Sequence, residues 1–248
     1  FTLNPLAKKM SEAGKAYLRK QVHDPVVRDK LTPRYAVGCK RPGFHNTYLS
    51  TYNRDNVDLV TEPIDKITGC GVATTDGASY DVDVLILATG FKVMDTDSVP
   101  TYPVTGVGGQ SLAQFWDTNR LQAYEGVSVP GFPNMFMLYG PNTNLGHNTI
   151  TFMIERQVEY AVKALQALEA RGAASMDVTQ TAQDRFNREL QANLAKTTWA
   201  DPGCHSWYKT DDGRITQNWG SHTRDYAKAT ANVVLEDYTL GQREAVGA

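Results

Sequence analysis

The run Asp83-Val84-Leu85-Ile86-Leu87-Ala88-Thr89-Gly90 limits the architecture more than any other stretch of this chain. Its centre is continuously aliphatic and lacks the two-residue alternation of a half-wetted strand. It is also far short of the ~20 residues that a membrane helix needs. Such a run predicts a strand buried on both faces of a parallel sheet. A second run, Met135-Phe136-Met137-Leu138-Tyr139, reads the same way and ends at Gly140-Pro141. Strands that end in glycine turns before helices are the mark of doubly wound α/β sheets, where ligands sit beyond the strand ends.

Between and around these runs the period alternates. Leu3, Leu6, Met10, Tyr17, Leu18 and Val22 recur at helical spacing, and Asp24-Pro25 breaks that helix before a shorter one that ends near Leu31. Val57 to Val60 and Ile64 to Ile67 predict short strands. Gly71 to Thr75 and Ala78 to Asp81 flank Asp76-Gly77, a two-residue hairpin signal. The longest helix is expected over about Thr149 to Arg171, with Ile154, Val158, Ala161, Val162, Leu165 and Leu168 as its inward stripe and Gly172 as its stop. Helices are also expected over Ala182 to Lys196 and near Arg224 to Ala231.

Charge and cysteine content narrow the function classes. The 248 residues carry 25 Lys and Arg against 27 Asp and Glu, a net charge of −2, so no global basic field favours nucleic acid. The three cysteines, Cys39, Cys70 and Cys204, form no Cys-x-x-Cys pair and predict free thiols in a reducing, cytoplasmic compartment. His45, His147, Cys204 and His205 lack the paired spacing of a metal site. No Gly-x-Ser-x-Gly nucleophile turn occurs. Gly69-Cys70-Gly71 is the nearest approach to a phosphate loop, but a hairpin follows it and Thr74 stands at the third-glycine position. Phe1 stands where a methionine would open a natural chain, so an earlier start is expected.

One ordered set of segments is more specific. Gly38-Cys39-Lys40-Arg41 is followed by Tyr52-Asn53-Arg54-Asp55-Asn56-Val57-Asp58-Leu59-Val60 and by Asp83 to Phe91 with its Ala-Thr-Gly-Phe. Next come Gly140-Pro141-Asn142-Thr143-Asn144-Leu145-Gly146-His147 and Ser206-Trp207-Tyr208. In this order they resemble class B flavoprotein monooxygenases, most of all the Baeyer–Villiger monooxygenases, over about Leu31 to the end. The family's FAD loop, its Phe-x-Gly-x-x-x-His-x-x-x-Trp fingerprint and its NADPH loop do not occur in this sequence. The resemblance is therefore to the C-terminal half of such an enzyme.

That resemblance implies an α/β fold, the C-terminal part of a flavoprotein with two Rossmann-like dinucleotide domains, incomplete in this chain. It implies a helical insertion segment over 1–37, the end of the NADPH-binding domain over 38–87 and the end of the FAD-binding domain over 88–248. FAD and NADPH are the implied cofactors, with a small-molecule ketone and O2 as substrates and the N-terminal half of the same enzyme as partner. The implied reaction inserts one oxygen atom through a peroxyflavin to give an ester or lactone.

Residue by residue, Arg41 matches the family's active-site arginine. A guanidinium stays charged at any working pH and offers donors in a fixed plane to an anionic oxygen. Lys40 matches a contact to the 2′-phosphate of NADPH, a task suited to a point charge. Thr89, Gly90 and Phe91, and Asn144, Leu145 and Gly146, match loops at the flavin, with Gly90 free to let backbone approach closely. Trp207 matches a tryptophan over NADP, its indole N–H a donor. Rival readings are a sister monooxygenase that oxygenates nitrogen or sulfur, and a non-catalytic fragment that binds a partner or nucleotide without turnover.

Overall fold

A computed structural model describes residues 5–90, 102–146 and 148–242. Phe91 and His147 lie outside the described residues. The chain divides into two compact units: residues 9–34 with 43–91, and residues 1–8 with 35–42 and 92–248.

The smaller unit takes helix α1 (Pro5–Gln21) from Lys9 onward and helix α2 (Pro25–Leu31). The expected break falls at Asp24. Its carboxylate Oδ1 accepts the amides of Val26 at 2.7 Å and Val27 at 3.1 Å, and Pro25 takes the first helical position, where a missing N–H costs nothing. Asn53, beyond the one-turn helix α3 (Tyr48–Thr51), accepts His23 N–H at 2.9 Å and donates to Gln21 O at 2.8 Å, so it ties that break to the α3 region. Strands β1 (Ile64–Ile67), β2 (Gly71–Thr74) and β3 (Ser79–Asp81) form an antiparallel sheet in sequence order. The β2–β3 hairpin turns at Asp76-Gly77 as the sequence requires. Gly77 takes φ +88°, and the Asp76 carboxylate accepts Thr74 Oγ1–H at 2.5 Å and Ala78 N–H at 3.2 Å.

Three strand expectations are overturned. Val57 to Val60 forms no strand. Val82 to Gly90 is irregular and exposed, with Val84, Ile86 and Leu87 at 74%, 83% and 69% exposure. Met135 to Tyr139 is also irregular: Met137 N–H donates to Val127 O at 2.8 Å and Tyr139 N–H to the Gln157 side chain. A strand exists only by pairing, and among the described residues no strand lies alongside either run to satisfy its backbone. For the same reason the parallel sheet is not seen, and the strands described all pair antiparallel.

The larger unit is built on helix α5 (Ile150–Ala170), which follows helix α4 (Leu112–Asn119). Strand β4 (Ala173–Val178) and helix α6 (Gln180–Leu194) come next, then helix α7 (Thr223–Ala229) and strand β5 (Tyr238–Gln242), which pairs antiparallel with β4. Thr149 and Thr179 cap α5 and α6 with their hydroxyls, and Gly172 at φ +61° ends α5 where expected. The inward face of α5 is Met153, Gln157, Tyr160, Ala164 and Leu168. The expected stripe shares only Leu168 with it, because Val158, Val162 and Leu165 face outward. The rotation has a polar cause: Gln157 points inward and its Oε1 accepts Tyr139 N–H at 2.8 Å. No helix among the described residues is long and apolar enough to cross a membrane.

Glu125 is buried in this unit at φ +52°, and its carbonyl accepts the Tyr226 hydroxyl at 2.8 Å. Its Oε2 has no partner among the described residues. Burial, with Asp237 and Glu189 nearby, pushes its carboxyl from 4.5 up to about 7. The folded chain then holds a proton that the unfolded chain releases near 4.5, so this group costs stability as pH rises from about 4.5 to 7. Glu125→Gln removes the titration. Denaturant unfolding at pH 5 and pH 8 is expected to shift in favour of the variant by up to about 3 kcal/mol. A shift below a few tenths of a kcal/mol refutes the assignment.

Candidate functional site

The site is assembled by a short segment and two loops of the larger unit. Residues 35–42 belong to that unit, although the chain on either side of them belongs to the other. Gly38 takes φ +90°, and its carbonyl accepts Trp199 Nε1–H at 2.8 Å. Cys39 is fully buried and joined to Cys204 by a disulfide, with the Cα atoms 5.5 Å apart. The expectation of three free thiols is thereby corrected: Cys70 alone is free, and exposed. Sequence spacing could not show the pairing because it spans 165 positions.

Lys40 and Arg41 follow directly and are exposed. The Lys40 ammonium lies 5.2 Å from the Tyr35 ring centroid, a cation–π contact. Among the described residues neither cation has a carboxylate within ion-pair distance. Arg41 lies within electrostatic reach of two phenols. Burial raises the Tyr139 hydroxyl, Tyr208 adds to the rise, and Arg41 opposes it. Burial likewise raises Tyr208, and Arg41 again opposes it.

Tyr139 links this corner to the Gly140–Gly146 loop. At φ +61° it turns its hydroxyl to donate to Asn144 Oδ1 at 2.9 Å. Asn144 is buried and its amide Nδ2 donates to Asn218 Oδ1. Its backbone is clamped by Gln217 O, at 2.9 Å from its N–H, and by Trp219 N–H, at 2.8 Å from its carbonyl. Asn142 at φ +59° anchors the same loop, donating through Nδ2 to Ile215 O at 2.9 Å and Asn218 O at 3.1 Å. Leu145 turns into the core beside Met153 and Tyr208, and Gly146 is buried. The backbone of this loop is therefore held in place, and the Asn144 side chain is occupied within the chain.

Trp207 is half exposed, and its ring lies 4.6 Å from that of Tyr208. Tyr208 is buried against Trp199 at 6.0 Å, and its carbonyl accepts Thr216 N–H at 3.1 Å and Gln217 N–H at 3.3 Å. Lys40, Arg41, Asn144, Leu145, Gly146 and Trp207 all belong to the larger unit. Thr89 and Gly90, the latter at φ +81°, belong to the other unit and are exposed. Sequence reasoning missed Tyr139, Asn218 and the cysteine pair. The available signal was position: Tyr139 directly precedes Gly140, and each cysteine sits inside or beside a segment of the ordered set. Among the described residues no group of three His, Cys, Asp or Glu could hold a metal ion.

No family profile matches the chain. Individual proteins do. An FAD-binding monooxygenase (ktnD) of Aspergillus niger is 39% identical over 241 residues, which is 94% of this chain and 39% of that protein. A Baeyer–Villiger monooxygenase of Pseudomonas aeruginosa is 37% identical over 242 residues, 97% of this chain and 45% of that protein. Among solved structures, oxidized steroid monooxygenase bound to NADP superposes with a TM-score of 0.84 at 30% identity, over 98% of this chain and 47% of that one. An OTEMO complex with FAD and NADP gives a TM-score of 0.84 at 31% identity, over 97% and 46%. The chain spans less than half the length of the relatives it matches. By sequence and by fold it is a relative of the Baeyer–Villiger and FAD-binding monooxygenases, and it corresponds to the C-terminal half of such a protein.

Proposed function

We propose that this chain is the C-terminal part of an FAD- and NADPH-dependent monooxygenase that inserts one oxygen atom of O2 into a ketone. The observation that carries the reading is the Lys40–Arg41 pair: two adjacent exposed cations without ion-pair partners among the described residues, on a segment stitched into the core cluster that holds Trp199 and Tyr208. Uncompensated cations on a segment tied to the cluster that holds Tyr208 suit an anionic dinucleotide. FAD reduced by NADPH supplies the activated oxygen. Arg41 holds the negative charge that builds on oxygen, and needs no reorganisation because its segment is fixed. Lys40 holds the 2′-phosphate of NADPH, and Trp207 covers the nicotinamide side. The 140–146 loop supplies a rigid wall for the flavin ring. Thr89, Gly90 and Phe91 are assigned to FAD by the resemblance.

The other half of the enzyme is part of this reading, with 1–37 as helical insertion, 38–87 as the end of the NADPH domain and 88–248 as the end of the FAD domain. The exposed apolar run Val84 to Leu87 supports it, since such a run fits a strand whose neighbours lie in the other half. So does the outward Val158, Val162 and Leu165 row on α5.

The test is product analysis on the intact protein that contains this chain, with NADPH, O2 and either a cyclic ketone or a thioether. Ester or lactone from the ketone is the expected result. Sulfoxide without lactone moves the assignment to the heteroatom-oxygenating sister class, and no NADPH-dependent product identifies a non-catalytic protein. A narrower outcome concerns Lys40. Lys40→Gln is expected to raise KM for NADPH at least tenfold and to leave that for NADH within twofold. Equal losses for both cofactors refute the phosphate contact.

A further inference from the structure

Cys39 and Cys204 lie in the core cluster that also holds Leu145, Trp199 and Tyr208. Their bond joins the two segments on which the proposed site depends. Cys39 is followed at once by Lys40 and Arg41, and Cys204 is three residues before Trp207. The tether is consequential because of where residues 35–42 lie. Eight residues belong to the larger unit while 9–34 and 43–91, on both sides, belong to the other. Trp199 Nε1–H to Gly38 O is a second tie, and Cys39 N–H to Ala36 O closes only a local turn. With the bond intact, the position of the cation pair on its unit is covalently fixed. With it broken, that position rests on non-covalent contacts alone, the Trp199–Gly38 hydrogen bond among them.

The bond is buried but shallow. Gly203 and His205 on one side, and Lys40 on the other, are exposed, and residues 201–206 form neither helix nor strand. A local opening of a few residues therefore reaches sulfur without unfolding α5, α6 or the β4–β5 pair. A bond that local opening exposes is open to thiol–disulfide exchange.

We propose that Cys39–Cys204 is a reversible redox pair, reduced by a dithiol, that fixes and releases the Lys40–Arg41 segment. The consequence for turnover rests on the function proposed above, whereas the redox chemistry does not. A thiolate of the dithiol attacks one Sγ to form a mixed disulfide, and the other cysteine leaves as a thiolate that takes up a proton. The second thiol of the reagent then closes its own disulfide and releases the first cysteine. Two electrons and two protons pass to the protein, and the reagent leaves as a cyclic disulfide. The reverse exchange with the oxidised reagent restores the bond.

The test equilibrates this chain with graded ratios of reduced to oxidised dithiothreitol, traps thiols with iodoacetamide, and reads mass and amide exchange. In oxidising buffer one alkyl group is expected, on Cys70, which serves as the internal standard. In reducing buffer three are expected, with a single reversible midpoint. Reduction is expected to raise exchange over 35–42 at least tenfold and to leave α6 and β4–β5 within twofold. Because the wild-type chain is compared with itself, the result does not depend on whether the double variant Cys39→Ser with Cys204→Ser folds. Where that variant folds, it should show the fast exchange in both buffers. Three reactive thiols in oxidising buffer, no response at 35–42, or an equal rise in every segment each overturns the proposal. Turnover retained by Arg41→Lys in the intact enzyme would instead strike the proposed function and leave these readouts untouched.

Discussion

Arg41→Lys in the intact enzyme is expected to lower ketone oxygenation by about a hundred- to a thousandfold while bound flavin stays unchanged, because one well-placed donor to a developing oxyanion is worth that much. Lysine keeps the charge, so the loss isolates geometry. A guanidinium presents donors in a rigid plane, whereas an ammonium is a compact, strongly hydrated point on a flexible stem. Arg41 is exposed and has no carboxylate partner among the described residues, so its orientation comes from the segment that carries it. NADPH oxidation without product should persist in the variant, since the proposed NADPH contact is that of Lys40 and not of Arg41. The measurements are product yield per NADPH consumed and flavin absorbance after purification. Product at the wild-type yield removes Arg41 from the reaction. Loss of flavin together with product makes it a binding residue instead.

The elements legible in the sequence are those whose causes are local. The α1–α2 break needs only an aspartate before a proline, the hairpin only Asp76-Gly77, and the caps of α5 and α6 only a threonine each. What failed depended on distant partners. Val84 to Leu87 has the composition of a buried strand, yet a strand is a relation between two segments, and the described residues supply no second one. The face of α5 was misjudged for a related reason. Hydrophobic spacing chose Val158 and Leu165, but the backbone N–H of Tyr139 required an acceptor, and Gln157 turned inward to meet it. For the site, the ordered segments singled out Arg41, Asn144 and Trp207 without distances. They could not show that Tyr139 joins the loop to the arginine's surroundings, or that a disulfide seats the segment, because both are contacts between parts that sequence order leaves apart.

The Gly140–Gly146 wall has its own point of failure, at Gly126. An added Cβ there would lie 2.0 Å from Thr143 Cγ2 and 2.9 Å from Pro141 O, at a φ of +68° that a side chain rarely adopts. Thr143 cannot swing aside freely, since it is buried and its hydroxyl donates to Gly140 O at 2.7 Å. The approach is close from the other direction too: a Cβ on Gly140 would meet Gly126 O at 2.3 Å. Gly126→Ala therefore combines backbone strain with overpacking and is expected to destabilise the chain by about 3 kcal/mol or more. Gly172 separates the two contributions, because it has φ +61° with nothing within 4 Å of an added Cβ. Gly172→Ala should cost only about 1 kcal/mol, the strain alone. Adding Thr143→Ala to Gly126→Ala should recover part of the difference, a coupling of about 1–2 kcal/mol between neighbours in contact. Denaturant midpoints of these three variants and of Thr143→Ala alone measure all of this. Equal losses at Gly126 and Gly172, with no coupling to Thr143, would mean that the loop does not rest on the 125–126 turn. The wall assigned to the flavin would then lack its support.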